Sequence, residues 1–452
     1  MSDLPIPVTF RKDIVRKVLD IVTGGDSCSL VGVGSSGKSN VARHLARPDV
    51  PRYYLGDAAS SLLVAYVDCQ KLVDSSAQAL HTLILEALPR AAKQAKPETA
   101  AVCPQLESFW EQAAESASPD RARRLLENAL DAVLGAGIAQ IGVILDDFDP
   151  VVRSADGRTL NSLRAVRDER KARVMYVTVT RRELGFLRDE REFQDFYEIA
   201  AATTIAVGPY DEDDASFMID RLCARWGFAQ RLSDDERDRV MHATGRHAGL
   251  LLETVRAARH DRALLSAPDL VERLRRHKDI APECDKIWES LDEAEMADLR
   301  AVVTQGWPAG DEPRPLLKKG LLRRRLDGAY DVFSPVFAEY VWDHLPNGRY
   351  AIKFLPDQRA VRVYDRVVKD LDDVDMALFG RLYERRGRRV DAKDLIDRML
   401  TAERSQHRFP GPPYQRMMSH MAELKRKIDS AAQAYILAEA DGSYRLIGPD
   451  GA

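Results

Sequence analysis

The stretch SCSLVGVGSSGKSNVARHL, residues 27–45, sets Gly32, Gly37, Lys38 and Ser39 in the spacing G-x-x-x-x-G-K-S. A short apolar run precedes it and a helix-compatible segment follows, which is the context in which such a spacing cradles phosphate. The glycines let successive backbone N–H groups curl around an anion, and the next helix begins there with its positive dipole end. Lys38 adds a point charge and the Ser39 hydroxyl is a ligand for Mg²⁺. The remaining loop positions, Val33, Gly34, Ser35 and Ser36, and Asn40 in the first helical turn, complete the expected cradle.

The neighbouring pattern predicts an α/β fold. Ile14, Val15, Val18, Leu19 and Val22 recur at helical spacing and Gly24–Gly25 close that helix. LLVAYVDCQ (62–70), IGVILDD (141–147) and RVMYVTVTRR (173–182) are apolar, β-rich runs, with a helix-like stretch from Ser76 to Leu88 after the first. Such alternation implies a parallel sheet covered on both faces. Three carboxylates stand at the end of the second run. Asp146 is placed to hold Mg²⁺ with Ser39, and Asp147 to orient an attacking water. Asp149, before Pro150, is expected in a turn.

Gly32 to Ser39, ILDDFD, the strand ending VTVTRR and TGRHAGLLLETV (244–255) together resemble the STAND class of signal-transducing ATPases within the wider AAA+ group. The resemblance covers about residues 1–345. It implies a P-loop NTPase parallel sheet (1–206), a helical lid (207–280) and a winged helix (281–345), with ATP/ADP and Mg²⁺ bound. It also implies a γ-phosphate-sensing arginine at Arg181, with Arg182 as the alternative, and a polar sensor near Thr178 and Thr180, which ordinary strand composition explains equally well. Ala248 stands where the family's G-x-P segment has its proline beside the base, and His247 is the lid residue expected to approach the nucleotide. In the 281–345 segment, Asp327–Gly328 predicts a hairpin turn. Its basic residues Lys318, Lys319, Arg323, Arg324 and Arg325 are expected to serve packing against the nucleotide domain rather than DNA.

Residues 346–452 read as a small sheet, three helices and a terminal hairpin about Asp441–Gly442. That succession resembles the winged-helix effector domain of response regulators of the OmpR/PhoB type. The resemblance implies that the helix ending HMAELKRKI enters the major groove of duplex DNA. Gln415, Arg416, Ser419, His420 and Glu423 are then candidates for base edges, Lys425, Arg426 and Lys427 for the backbone, Arg445 for a minor groove, and Arg385, Arg386, Arg388 and Arg389 for phosphates.

Composition sets few further limits. From residue 346 onward 20 basic residues face 16 acidic ones, an excess of +4 that leaves −8 on residues 1–345 of a chain whose total is −4, so any polyanion is expected on the C-terminal part. The cysteines, Cys28, Cys69, Cys103, Cys223 and Cys284, are scattered and form no C-x-x-C pair, which argues against a disulfide framework or zinc site. With no export signal and no apolar run near the roughly 20 residues that span a bilayer, a cytoplasmic protein is expected. The expected activity is an ATP-dependent switch with slow hydrolysis that binds double-stranded DNA, as a transcription regulator or defence-system sensor. The alternatives are an oligomeric AAA+ ATPase that remodels or loads DNA, with Arg164, Arg167 or Arg170 as a finger in trans, and an ADP-bound scaffold that recruits a protein partner.

Overall fold

The structure is a computed structural model; it describes residues 4–307, 311–326, 328–345, 352–363, 366–369, 371–385, 389–403, 410–429, 435–439 and 442–446. The expected turn residues Asp327 and Asp441, and Arg386 and Arg388, lie outside these. Two units emerge from the contacts, Met1–Ala297 with Asp311–Ala338, and Asp298–Gly310 with Glu339–Ala452; the boundary between them passes through the 281–345 segment.

In the first unit, β1 (Cys28–Val31), β2 (Leu62–Asp68), β3 (Gln140–Asp146), β4 (Val174–Thr180) and β5 (Thr204–Ala206) form one sheet in the order β2-β3-β4-β1-β5. Every pairing is parallel. All seven residues of β4 and all four of β1 are buried, as strands covered on both faces must be. One face carries the helices Lys12–Thr23 and Lys38–Leu45, whose Val15, Val18, Leu19, Val22 and Val41 pack on Leu30, Ile144 and Val177. The other carries Ala77–Ala95, Cys103–Ala114, Pro119–Gly135, Gly157–Asp168 and Gln194–Ala200. This is the α/β architecture of P-loop NTPases.

The strand order positions the chemistry. With β1 between β4 and β5, and β3 next to β4, the segments leaving the carboxyl ends of β1, β3 and β4 converge on one edge of the sheet. Residues 207–280 follow as five helices, the last two being the short Ala263–Ser266 and Leu270–Arg275. Glu212–Trp226 ends on left-handed Gly227; Asp234–Thr244 starts in a Ser233/Glu236 capping box; Ala248–His260 starts at His247. Then come the helices Ala281–Trp288, Glu293–Gln305 and Arg314–Lys318, the antiparallel pair β6 (Leu322–Arg324) and β7 (Tyr330–Val332), and the helix Pro335–Asp343. Lys318 pairs with Glu183, Lys319 with the buried Glu295, and Ser334 Oγ donates to the Ala243 carbonyl. Lys318 and Lys319 are thus both paired with carboxylates of the first unit.

The second unit has its own core. β8 (Ile352–Leu355), β9 (Ala360–Val363) and β10 (Arg366–Val368) form an antiparallel sheet, followed by helices Asp373–Glu384, Ala392–Ala402 and Pro413–Ile428 and the hairpin β11 (Ile436–Ala438) and β12 (Tyr444–Leu446). Val361, Leu378, Phe379, Leu395, Met417, Met421 and Leu424 are fully buried there. No helix among the described residues is long and apolar enough to cross a membrane.

Candidate nucleotide site

Backbone geometry in the loop after β1 follows from its glycines. Gly37 has φ 91°, and a Cβ there would meet the Tyr210 hydroxyl at 3.2 Å. Gly34 is closed in by the helix Ala281–Trp288: its Cβ would lie 2.4 Å from the Lys286 carbonyl oxygen. The loop lines a cavity of about 440 Å³ together with Asp147, Arg181, Tyr210, Met218, Leu222, Ala248, Gly249, Leu251, Leu252, Glu253, Glu283 and Lys286. That size suits a small ligand such as a nucleotide. Of the expected cradle, Ser35, Ser36, Gly37, Lys38, Ser39 and Asn40 line the cavity; Gly32 and Val33 turn their carbonyls to Lys38 Nζ at 2.7 and 2.9 Å.

The carboxylates divide by environment. Asp146 is 1% exposed, and its Oδ1 accepts from Ser39 Oγ at 3.2 Å while Oδ2 accepts from the Tyr66 hydroxyl at 2.7 Å. Burial, partly offset by these hydrogen bonds, lifts its pKa, and the neighbouring Asp147 lifts it further. A cation shared by Asp146 and Ser39 would relieve that strain. Mg²⁺ keeps most of its ligands as water and phosphate, so one carboxylate and one hydroxyl fit it. Asp147 has φ 50°, an uncommon conformation for a non-glycine, and Gln70 Nε2 donates to its Oδ2 at 2.8 Å. Asp149 opens the helix Asp149–Ser154, as a turn residue should, but it is more than that. It is 8% exposed, and both its oxygens accept from the Arg181 N–H at 2.9 and 3.1 Å. It thereby fixes the segment that carries Arg181 to the cavity wall.

Lys38 is buried, and desolvation brings its pKa down to about 8, with Asp149 the leading opposing influence. A lysine lowered in this way holds its proton below about pH 8 and loses it above, so the folded chain gains stability as pH rises from there toward 10.5. Nucleotide affinity has the opposite dependence. It should be flat up to about pH 7 and weaken as pH climbs through 8, by up to about tenfold per unit. Fluorescence titration with a labelled nucleotide across that range checks this; an affinity constant well past the Lys38 pKa contradicts it.

Several expected residues lie elsewhere. His247 does not line the cavity: it is fully buried, its Nδ1 accepts from the Leu250 N–H at 3.4 Å, and burial lowers its pKa to about 3. The neutral ring caps its own helix and lies beside Phe333 at 5.9 Å. Thr178 hydrogen-bonds Ser29 inside the sheet, and Thr180 Oγ1 donates to the Arg182 carbonyl. Arg182 donates to the carbonyls of Glu289, Ser290 and Leu291, whereas Arg181 lines the cavity. Arg164 pairs with Asp168 and Glu198, Arg167 is buried against the Gly25 carbonyl, and Arg170 is buried on Asp131, so these three are engaged inside their own chain.

In the second unit, His420 is 1% exposed, and Arg416 forms an ion pair at 2.8 Å with Glu403, itself 4% exposed at its side chain. Neither can meet a base edge from there. Lys425 pairs with Asp429, Lys427 with the buried Asp375 and Arg445 with Glu439. Gln415 and Arg426 are exposed on the same helix, and Ser419 Oγ donates back to the Gln415 carbonyl.

No family model matches the chain, and no curated protein does. Solved structures do. A Walker-type ATPase of Pyrococcus abyssi is 14% identical with TM-score 0.43, covering 73% of this chain and 95% of its own. The Aeropyrum pernix ORC2 protein, in ADPNP–ADP complexes, is 13% identical with TM-score 0.41, over 73% and 92%. The Aeropyrum pernix ORC1 protein, in complex with DNA, is 14% identical with TM-score 0.38, over 99% and 91%. The fold assignment itself rests on the strand order and the phosphate loop of this chain.

Proposed function

We propose that the protein is an AAA+-type ATPase that binds ATP at the edge of the five-stranded sheet, hydrolyses it slowly, and couples the nucleotide state to double-stranded DNA. The carrying observation is that Lys38, Ser39, Asp147 and Arg181 line one cavity, with the buried Asp146 hydrogen-bonded to Ser39 behind it. In hydrolysis a water oxygen attacks the γ-phosphorus, the bond to the β–γ bridging oxygen breaks, and ADP and phosphate leave. Asp147, held by Gln70, orients the water and takes its proton. Lys38 and Arg181 offset charge on the phosphates. Mg²⁺ held by Ser39 and Asp146 would supply further charge neutralisation.

For the C-terminal unit, the winged-helix reading fits the succession of sheet, three helices and hairpin. Recognition of a chosen sequence loses support, because the base-edge candidates His420 and Arg416 are buried or paired within the unit and the minor-groove candidate Arg445 pairs with Glu439. Handling of DNA with little sequence choice, as in a DNA-loading ATPase, is therefore favoured over a transcription regulator. ATP turnover of the full chain with and without duplex DNA tests the coupling. Asp147→Asn should lower kcat by about a hundredfold or more and leave nucleotide affinity nearly unchanged. Unaltered turnover in that variant makes the second aspartate structural.

A further inference from the structure

The charged wall of the cavity has a member outside the sheet and lid. The lid helix beginning at Ala248 reaches the phosphate loop with Ala248 and Gly249, which carry no charge; the Gly249 N–H donates to the Ser35 carbonyl at 3.0 Å. The cations lining the cavity are Lys38, Arg181 and Lys286. Lys286 belongs to the helix Ala281–Trp288, whose end is held on the loop from two sides. Ser290 Oγ accepts the Gly34 N–H at 2.8 Å and donates to the Lys286 carbonyl at 2.6 Å. Arg182 donates to the Glu289 and Ser290 carbonyls at 2.9 and 3.1 Å. This arginine directly follows Arg181 in the chain, so the phosphate-facing residue and the helix clamp are neighbours.

Lys286 has a partner that a phosphate can displace. Its Nζ lies 2.5 Å from Glu283 Oε1, while Glu283 Oε2 is buried without a hydrogen-bond partner. Glu253 lines the same cavity with its own Oε2 buried and unpartnered, and Glu283 helps to push its pKa up, after burial. Two carboxylates, each 6% exposed, thus face the cavity, Glu283 against the Lys286 ammonium and Glu253 against the Arg256 guanidinium at 3.0 Å. Tyr210, Met218, Leu222 and Leu251 form an apolar wall suited to a base, whereas Lys286 is seated against Gly34 in the phosphate loop.

We infer that Lys286 is a γ-phosphate contact. Its ammonium pairs with Glu283 when the terminal phosphate is missing and turns to that phosphate in the ATP state, so that the end of the helix Ala281–Trp288 registers which nucleotide is bound. The inference rests on the nucleotide reading above. Glu283 sets the threshold: the γ-phosphate of ATP must outcompete it, and ADP has no γ-phosphate.

Equilibrium titrations of the full chain with fluorescent ATP and ADP analogues in Mg²⁺ test this. Lys286→Gln should weaken ATP binding about tenfold or more and leave ADP within about twofold, the scale of one charge-assisted hydrogen bond. Lys286→Arg should retain the ATP preference. Glu283→Gln should move the ATP:ADP ratio the other way, by releasing the ammonium. Equal losses for both nucleotides in Lys286→Gln, or no change in either variant, overturn the assignment while the nucleotide site stands. A wild-type chain that binds neither nucleotide overturns the site itself.

Discussion

Lys38→Ala should abolish nucleotide binding, lowering affinity for ATP and ADP alike by about a hundredfold or more. The size of the effect follows from what the lysine does. It is the one cation within the loop itself, and it is 8% exposed, so its charge acts in a medium that screens it little. Its Nζ donates to the Gly32 and Val33 carbonyls at 2.7 and 2.9 Å. An incoming phosphate replaces those neutral acceptors with anionic ones, which roughly doubles the strength of each hydrogen bond. The same variant removes a buried ammonium that opposes folding, so it should be no less stable than wild type. Two readouts separate the possibilities. A thermal melt of wild type should rise with added Mg–ATP, by the amount that binding to the folded state alone dictates, and the melt of Lys38→Ala should not move. Retained binding in this variant would place the nucleotide somewhere other than the loop after β1.

How far the sequence reveals this site depends on whether a residue's partner is local. The phosphate loop is local: glycines, lysine and serine fall within eight consecutive positions, and strand and helix flank them. Asp146 is nearly as legible, because an acid ending a buried run of apolar residues and one glycine has few other reasons to be there. The supporting residues are not legible, since each acts across a long stretch of chain. Tyr66 meets Asp146 from 80 positions away, Arg182 meets Ser290 across 108, and Ser290 meets Gly34 across 256. Nothing in a tyrosine, an arginine or a serine announces such a partner.

The helices Cys103–Ala114 and Pro119–Gly135 carry no motif, and only packing against Ala77–Ala95 identifies their place. His247 shows the opposite hazard. A histidine in a lid attracts a functional reading, but Phe333 and the buried first turn of its own helix claim it. The helix Pro413–Ile428 teaches the same lesson with a clearer signal. Met417, His420, Met421, Leu424 and Ile428 recur at the spacing of a buried stripe, which takes His420 into the core while Gln415 and Arg426 stay exposed.

Arg416→Ala should then act chiefly on stability, destabilising the second unit by about 3–5 kcal/mol, the range for breaking a buried pair from one side. Arg416 and Glu403 have side chains 11% and 4% exposed and meet at 2.8 Å, with His420 Nε2 at 3.8 Å from the same carboxylate. Removing the guanidinium leaves Glu403 with its charge buried and the pairing lost, which is far more costly than losing a surface contact. Urea unfolding of the full chain, followed by the tyrosine signal of residues such as the buried Tyr435, should show a transition displaced to lower denaturant. The double variant Arg416→Leu with Glu403→Leu should recover most of that loss, since a buried pair replaced by apolar side chains is often neutral or stabilising. DNA affinity at low salt then discriminates the two roles of Arg416. If the double variant is stable and binds duplex as wild type does, Arg416 is a core residue. If it is stable but binding drops, the arginine leaves Glu403 to meet DNA. A single variant whose stability stays within about 0.5 kcal/mol of wild type would falsify the buried pair altogether, because only surface substitutions have effects that small.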